Sequence, residues 1–187
     1  RPAERRRRIV LKHLFIILAL LCSFPVQAQN VINARKVEQI GVFDDWTAYI
    51  FKDKKEKVCF VSSMPFKSAG EYNRRGDVFL MVSHRPKEEL FDVLTFVAGY
   101  TYKPRSDVLL RVGKLKADLF TSQDTAWSKN LSTDREIAEA MNRGVRVTVR
   151  GTSIEGVETY DTFSLKGFNN AMEAINRLCR QDAGKNE

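Results

Sequence analysis

What most constrains the fold of this chain is a two-residue alternation of apolar and polar side chains that recurs in short runs between residues 42 and 165. A period of two puts every second side chain on one face of a pleated strand, and runs broken by Gly, Pro, Asp and Lys clusters predict short antiparallel strands. Residues 42–51 (VFDDWTAYIF) read as one strand, with Trp46, Ala48 and Ile50 on one face and Thr47, Tyr49 and Phe51 on the other. Apolar groups on both faces place that strand inside a sandwich or under a helix. Residues 52–57 (KDKKEK) form a charged hairpin tip, 58–64 return as a strand, 65–75 are a loop, and 77–85 resume the pattern. After a turn at 86–89, residues 90–100 form a further strand with Phe91, Val93, Thr95 and Val97 in phase. Residues 108–112 and 115–119 make a hairpin about Gly113-Lys114, and 125–128 form a short strand carrying Trp127.

Helical periodicity enters only late. The run Ser132-Thr133-Asp134-Arg135-Glu136 has capping chemistry and precedes the stripe Ile137, Ala138, Ala140 and Met141, which predicts a short helix over 134–143. Residues 144–165 contain two strand runs joined by a polar turn. A second helix, 168–180, then places Phe168, Ala171, Met172, Ile175, Leu178 and Cys179 in one arc. Seven to nine short strands and two late helices predict a mainly β, antiparallel, sandwich-like single domain over 41–180, with no α/β alternation and no internal repeat.

The N-terminus reads as an export signal. Arg5 to Arg8 form a basic region and residues 14–24 an apolar run, leading to Val26-Gln27-Ala28 with small residues suited to cleavage between Ala28 and Gln29. A retained anchor would be short against the roughly 20 residues a bilayer core requires, and lipid attachment at Cys22 would follow Leu21 where a small residue is usual. Residues 1–28 are therefore expected to be a signal peptide, 29–40 a flexible lead-in and 181–187 a tail, leaving no transmembrane segment in the mature chain. Residues 1–28 hold six of the 31 basic residues and one of the 23 acidic ones, so residues 29–187 carry 25 against 22, near +3 rather than +8. The high pI thus belongs mainly to the leader and gives no ground for nucleic-acid binding.

Beyond the leader, Cys59 and Cys179 are an even pair in a chain bound for an oxidising compartment. Their one intramolecular pairing would close on the order of 120 residues, worth about 4–5 kcal/mol in the chain-entropy description. Two free buried thiols are the alternative.

Catalytic constellations are scarce. His84 is the one histidine beyond the leader, which argues against a zinc site, a Ser-His-Asp triad and a Cys-His nucleophile. Gly151-Thr152-Ser153-Ile154-Glu155-Gly156 lacks the glycine two places after the serine that a nucleophile elbow needs, and reads as a hairpin turn. Asp44-Asp45 are turn formers, short of the oxygens a calcium site requires. No catalytic residue, metal ligand or cofactor motif is expected. Arg74 and Arg75, with Arg85, lie in or beside loops and form either a contact patch or a solvated face. Asp161 falls in phase with Val157, Thr159, Phe163 and Leu165, which means either a β-bulge nearby or a buried carboxylate accepting bonds from a neighbouring loop.

Asp45-Trp46, Val58-Cys59, Gly151-Thr152-Ser153, residues 159–165 with Gly167-Phe168, and Cys179 follow one another in an order that resembles the invasion-associated locus B family of α-proteobacterial secreted proteins. Many members carry a further cysteine shortly after the Asp-Trp pair. This chain has none there, which is similar to the subgroup with a single Cys59–Cys179 bridge. The resemblance implies a β-rich periplasmic or outer-membrane-associated protein without known enzymatic activity, linked to host-cell invasion or colonisation, and so to virulence. The expected function is that of an exported accessory protein that binds an envelope or host-cell protein through loops, chiefly 65–75 and 122–133. Two alternatives stand beside it: a periplasmic small-ligand carrier or enzyme with a pocket lined by Trp46, Tyr49, Trp127 and Tyr160, and an envelope assembly or stress factor.

Overall fold

In the computed structural model, residues 37–53, 55–72 and 74–180 are described. The expected leader with its Ala28–Gln29 cleavage point, lead-in residues 29–36 and the tail 181–187 lie outside them. The alternating runs become eleven strands: β1 (Val37–Phe43), β2 (Trp46–Lys52), β3 (Lys57–Ser63), β4 (Lys67–Ala69), β5 (Phe79–Arg85), β6 (Leu90–Val97), β7 (Val108–Val112), β8 (Leu115–Ser122), β9 (Thr125–Trp127), β10 (Arg146–Thr152) and β11 (Glu158–Ser164). Helix α1 (Leu131–Arg143) separates β9 from β10, α2 (Phe168–Cys179) follows β11, and a 3-10 turn (Pro86–Glu88) joins β5 to β6. All strand pairings are antiparallel, in one sheet of order β1-β2-β3-β5-β6-β9-β8-β7-β10-β11-β4.

The sheet folds over at β8. Its first five residues pair with β7 while Phe120, Thr121 and Ser122 pair with β9, so one strand serves both halves. The inward faces meet in one core, where Phe96 on β6 packs edge-on against Phe163 on β11 with ring centroids 6.1 Å apart. Helix α2 covers the inner side of β2 and β3. Its Phe168 meets Trp46 at 4.8 Å, and Trp46 donates its indole N–H to Ser164 O at 2.9 Å. Helix α1 buries Ile137, Ala138 and Met141, and Asp134 Oδ1 accepts the N–H of Leu94 at 2.9 Å on β6 beyond the end of β9, where no strand supplies a partner.

Several local expectations are corrected. Residues 42–51 are not one strand, because Asp44 takes a left-handed conformation (φ 50°) and turns β1 into β2, which aspartate tolerates through local side-chain hydrogen bonding. The first strand starts at Val37, inside the segment expected to be a flexible lead-in. The 65–75 loop holds β4, paired to β11. In β6 Phe91, Val93, Thr95 and Val97 do share one face, but it is the outward one, and Asp92, Leu94 and Phe96 are buried. Helix α1 begins earlier than expected and is capped by Asn130, whose side chain accepts from the Thr133 N–H at 2.9 Å. Gly167 stands at φ +83° with an added Cβ only 1.9 Å from Phe43 O, so only glycine lets α2 begin against the β1–β2 turn.

Candidate functional site

Asp161 sits on β11 in regular register with Val149, so no bulge moves it outward and its side chain is fully buried. Arg75, whose side chain is 4% exposed, grips it with both arms: Nη1 to Oδ1 at 2.8 Å and Nη2 to Oδ2 at 2.5 Å. Ser68 on β4 adds an O–H to Oδ1 at 2.7 Å, and Arg75 Nε donates to Ala98 O at 2.6 Å. The guanidinium lies between the rings of Tyr72 and Tyr100, 5.1 and 5.0 Å from their centroids. Burial opposes its charge, but the bonds and attraction of Asp161 outweigh that and raise its pKa. Beside it the Tyr100 hydroxyl bonds Thr159 Oγ1 at 2.6 Å, and burial pushes the pKa of Tyr100 and Tyr102 upward. Arg75 is therefore no contact residue of an open loop; it ties its own stretch of chain, 74–76, to β11. Arg74, its neighbour, is the exposed one.

A second buried network ties α2 to the sheet. His84 is fully buried beside Cys59 in register; its Nδ1 accepts the Asp92 N–H at 3.1 Å, so Nε2 carries the proton and donates to Asn176 Oδ1 at 2.9 Å. Burial holds its pKa below the ordinary value against the pull of the Asp92 charge. Arg180 bonds Asp92 and, through Nε at 2.8 Å, Asn176, with its guanidinium over Phe91. Asp92 itself is left-handed at φ 61°. Next to this network Cys59 and Cys179 form a disulfide with Cα atoms 6.2 Å apart, both residues fully buried.

These geometries say what the groups can do. Asp161 has both oxygens filled by a buried cation and a hydroxyl, and both ring nitrogens of His84 are engaged, so neither is free to exchange a proton with a substrate without breaking the fold. Among the described residues no group of three or more His, Cys, Asp or Glu is placed to hold a metal, and no helix is long and apolar enough to cross a membrane.

The four aromatics expected to line one pocket do not meet. Trp46 is in the core, Tyr49 stacks on Phe60 at 5.0 Å on the outside of the first half, Trp127 lies 5.5 Å from Phe120 near the bend, and Tyr160 is 42% exposed on the other half with its hydroxyl on Glu158. The alternation that puts Trp46 inward necessarily puts Tyr49 outward. What the sequence reading missed is the outward apolar surface this creates. Tyr49, Phe60, Phe79 and Met81 continue across β2, β3 and β5 to Met64 and Phe66, which are 58% and 65% exposed. A shallow cavity of about 310 Å³ opens there between Thr47, Tyr49, Ser62, Met64, Phe66 and Phe79. The signal lies in the two-sided apolar run at 46–51, whose second apolar face is open rather than covered.

Comparison with known proteins gives two matches. The family described as Invasion associated locus B (IalB) protein matches residues 46–176. The crystal structure of invasion associated protein b from Bartonella henselae is similar at 18% identity and TM-score 0.52, covering 75% of this chain and 97% of that one, a likeness of fold. No curated protein matches the chain.

Proposed function

This chain belongs to the Invasion associated locus B family, and on that premise we propose that it is an exported, non-enzymatic binding protein of the cell envelope, periplasmic or outer-membrane-associated, that promotes host-cell invasion or colonisation. The family match across 46–176, which spans the folded core from β2 into α2, carries this reading. The disulfide supports it, since such bonds persist in oxidising compartments. So does the commitment of Asp161, Arg75 and His84 to holding loops and helix in place, which leaves the exposed loops and outward sheet faces for recognition of an envelope or host-cell protein.

The test is a deletion strain complemented with the full chain. The expected result is a mature protein beginning at Gln29 in the envelope fractions and a loss of host-cell invasion that the complementing copy restores. Residence in the cytoplasm, or a deletion that leaves both invasion and envelope stress tolerance unchanged, refutes the proposal.

A further inference from the structure

The outward face of the second half has a chemistry quite unlike that of the first. Its register places Lys67 on β4 opposite Thr162, Thr162 opposite Thr148, Thr148 opposite Arg111, and Arg111 opposite Lys116, so five residues on five neighbouring strands form one cross-strand row. At about 4.8 Å per strand the row runs about 19 Å from Lys67 to Lys116. Along β10 the residues Arg146, Thr148 and Arg150 share this face, because Val147 and Val149 point into the core. At about 3.3 Å per residue the two arginines stand about 13 Å apart on it.

Five cations thus face outward here against two carboxylates, Asp118 and Glu158. That excess equals the whole excess of residues 29–187. Arg111 and Lys116 lie directly opposite each other, an arrangement of like charges that weakens a sheet. No ion pair relieves either of them among the described residues. Arg150 reaches Glu158 at 3.5 Å, but both side chains are about half exposed, and a pair of that kind holds little energy and exchanges readily for another anion. Between the cations the surface offers hydroxyls and one ring: Thr148, Arg111, Arg150, Leu109 and Tyr160 enclose a shallow cleft of about 350 Å³.

We propose that this face binds a linear sulfated polysaccharide, its sulfate groups on Arg111, Lys116, Arg146, Arg150 and Lys67 and its sugar rings over Thr148, Thr162 and Tyr160. Guanidinium forks match sulfate oxygens in pairs, threonine hydroxyls match sugar hydroxyls, and the Tyr160 ring covers the apolar face of a pyranose. A phospholipid surface would ask for apolar side chains projecting among the cations, whereas the residues in register between Lys67 and Arg111 are the threonines Thr162 and Thr148, with Leu109 and Tyr160 lining the cleft and Phe120 standing toward the bend. The inference goes beyond the family reading and does not depend on it, since the charge placement follows from the register alone.

The test is binding of the full chain to heparin, measured by salt elution from the immobilised polymer and by titration at several salt concentrations. Two controls run in parallel: duplex DNA and vesicles of phosphatidylglycerol. Wild-type protein is expected to be retained at physiological ionic strength. Counterion release makes log K fall with log salt by about one unit per anion neutralised, so R111S/K116S/R150S is expected to lower that slope by about 3 and the affinity by about twentyfold or more. The variant K87S/R135S/R177S removes equal charge elsewhere and is expected to stay within about twofold of wild type. Should the triple variant fail to fold, R111S and R150S singly are each expected to lower affinity severalfold without lowering the melting temperature. Absence of retention, equal losses in the two triple variants, or DNA or vesicles binding as tightly as heparin through the same three residues overturns the proposal.

Discussion

Replacing Arg75 by Met keeps an apolar stem between Tyr72 and Tyr100 while deleting the charge. Asp161 would then lie fully buried with Ser68 as its remaining side-chain partner, and Ala98 O would lose its donor. A carboxylate stripped of its cation in such a place costs about 3–5 kcal/mol, several times what an exposed pair is worth. The Arg85–Glu88 pair, with both side chains nearly half exposed, sets the contrast, and breaking it is expected to cost about 1 kcal/mol or less. For a folded region of this size each kcal/mol lowers the melting temperature by about 2–4 °C, so R75M is expected to fall by about 6–20 °C. Equilibrium unfolding in guanidinium chloride, followed by fluorescence of Trp46 and Trp127, reads the free energy. The decisive companion is R75M/D161L. It leaves no buried charge, and is expected to be more stable than R75M alone and within about 2 kcal/mol of wild type. A loss below about 1 kcal/mol in R75M, or a double variant whose loss is the sum of the two single losses, refutes the account of Arg75 and Asp161 as one buried unit.

Removing the disulfide with C59S/C179S is expected to cost on the order of 4–5 kcal/mol, from a loop with a sequence separation of 120; a melting curve that does not move in the variant or in reductant would count against a bridge in solution. His84 has a folded pKa below its unfolded value of about 6.5, so the unfolded state binds the extra proton, and the stability it supports is present above pH 6.5 and lost as pH falls through the folded pKa. Melting temperatures between pH 8 and pH 5.5 should therefore decline for wild type and flatten for H84Q; parallel curves would rule His84 out as the cause. Asp134, raised by burial, has the opposite sign, favouring the fold as pH falls toward the ordinary carboxyl value of 3.8, and so does not mimic the effect. Gly167→Ala must displace Phe43 O and is expected to cost about 2–4 kcal/mol, whereas Gly113→Ala, at φ +56° with no atom near its new Cβ, should cost about 1 kcal/mol; equal losses in the same unfolding assay would show that the contact with the β1–β2 turn is not what requires glycine.

How far the fold could be read follows from which residues had a period to betray them. Val108, Leu110 and Val112 alternate with a face that carries Arg111, and Val147 and Val149 with Arg146, Thr148 and Arg150, and there strand and inward face were both legible. In β6 the two faces are Phe91, Val93, Thr95, Val97 and Asp92, Leu94, Phe96; by hydrophobicity the first set should be inside, yet the second is, because Asp92 meets Arg180 and stands beside His84, partners contributed by β5 and by the residue just past α2. Arg75 was illegible for a related reason. A cation in a loop has no period, and its partner lies 86 residues away in sequence. Asp161 could be singled out because it broke a pattern, but the pattern could not say what would satisfy it. The same limit shows where function is to be sought. A strand needs one apolar face to fold, so Tyr49, Phe60 and Met81 on the outside of the first half are surplus to the core. Arg111 and Lys116, opposed on the outside of the second, even work against their own sheet. Side chains the fold does not require, and in one place resists, are the ones whose presence some contact outside the chain must explain.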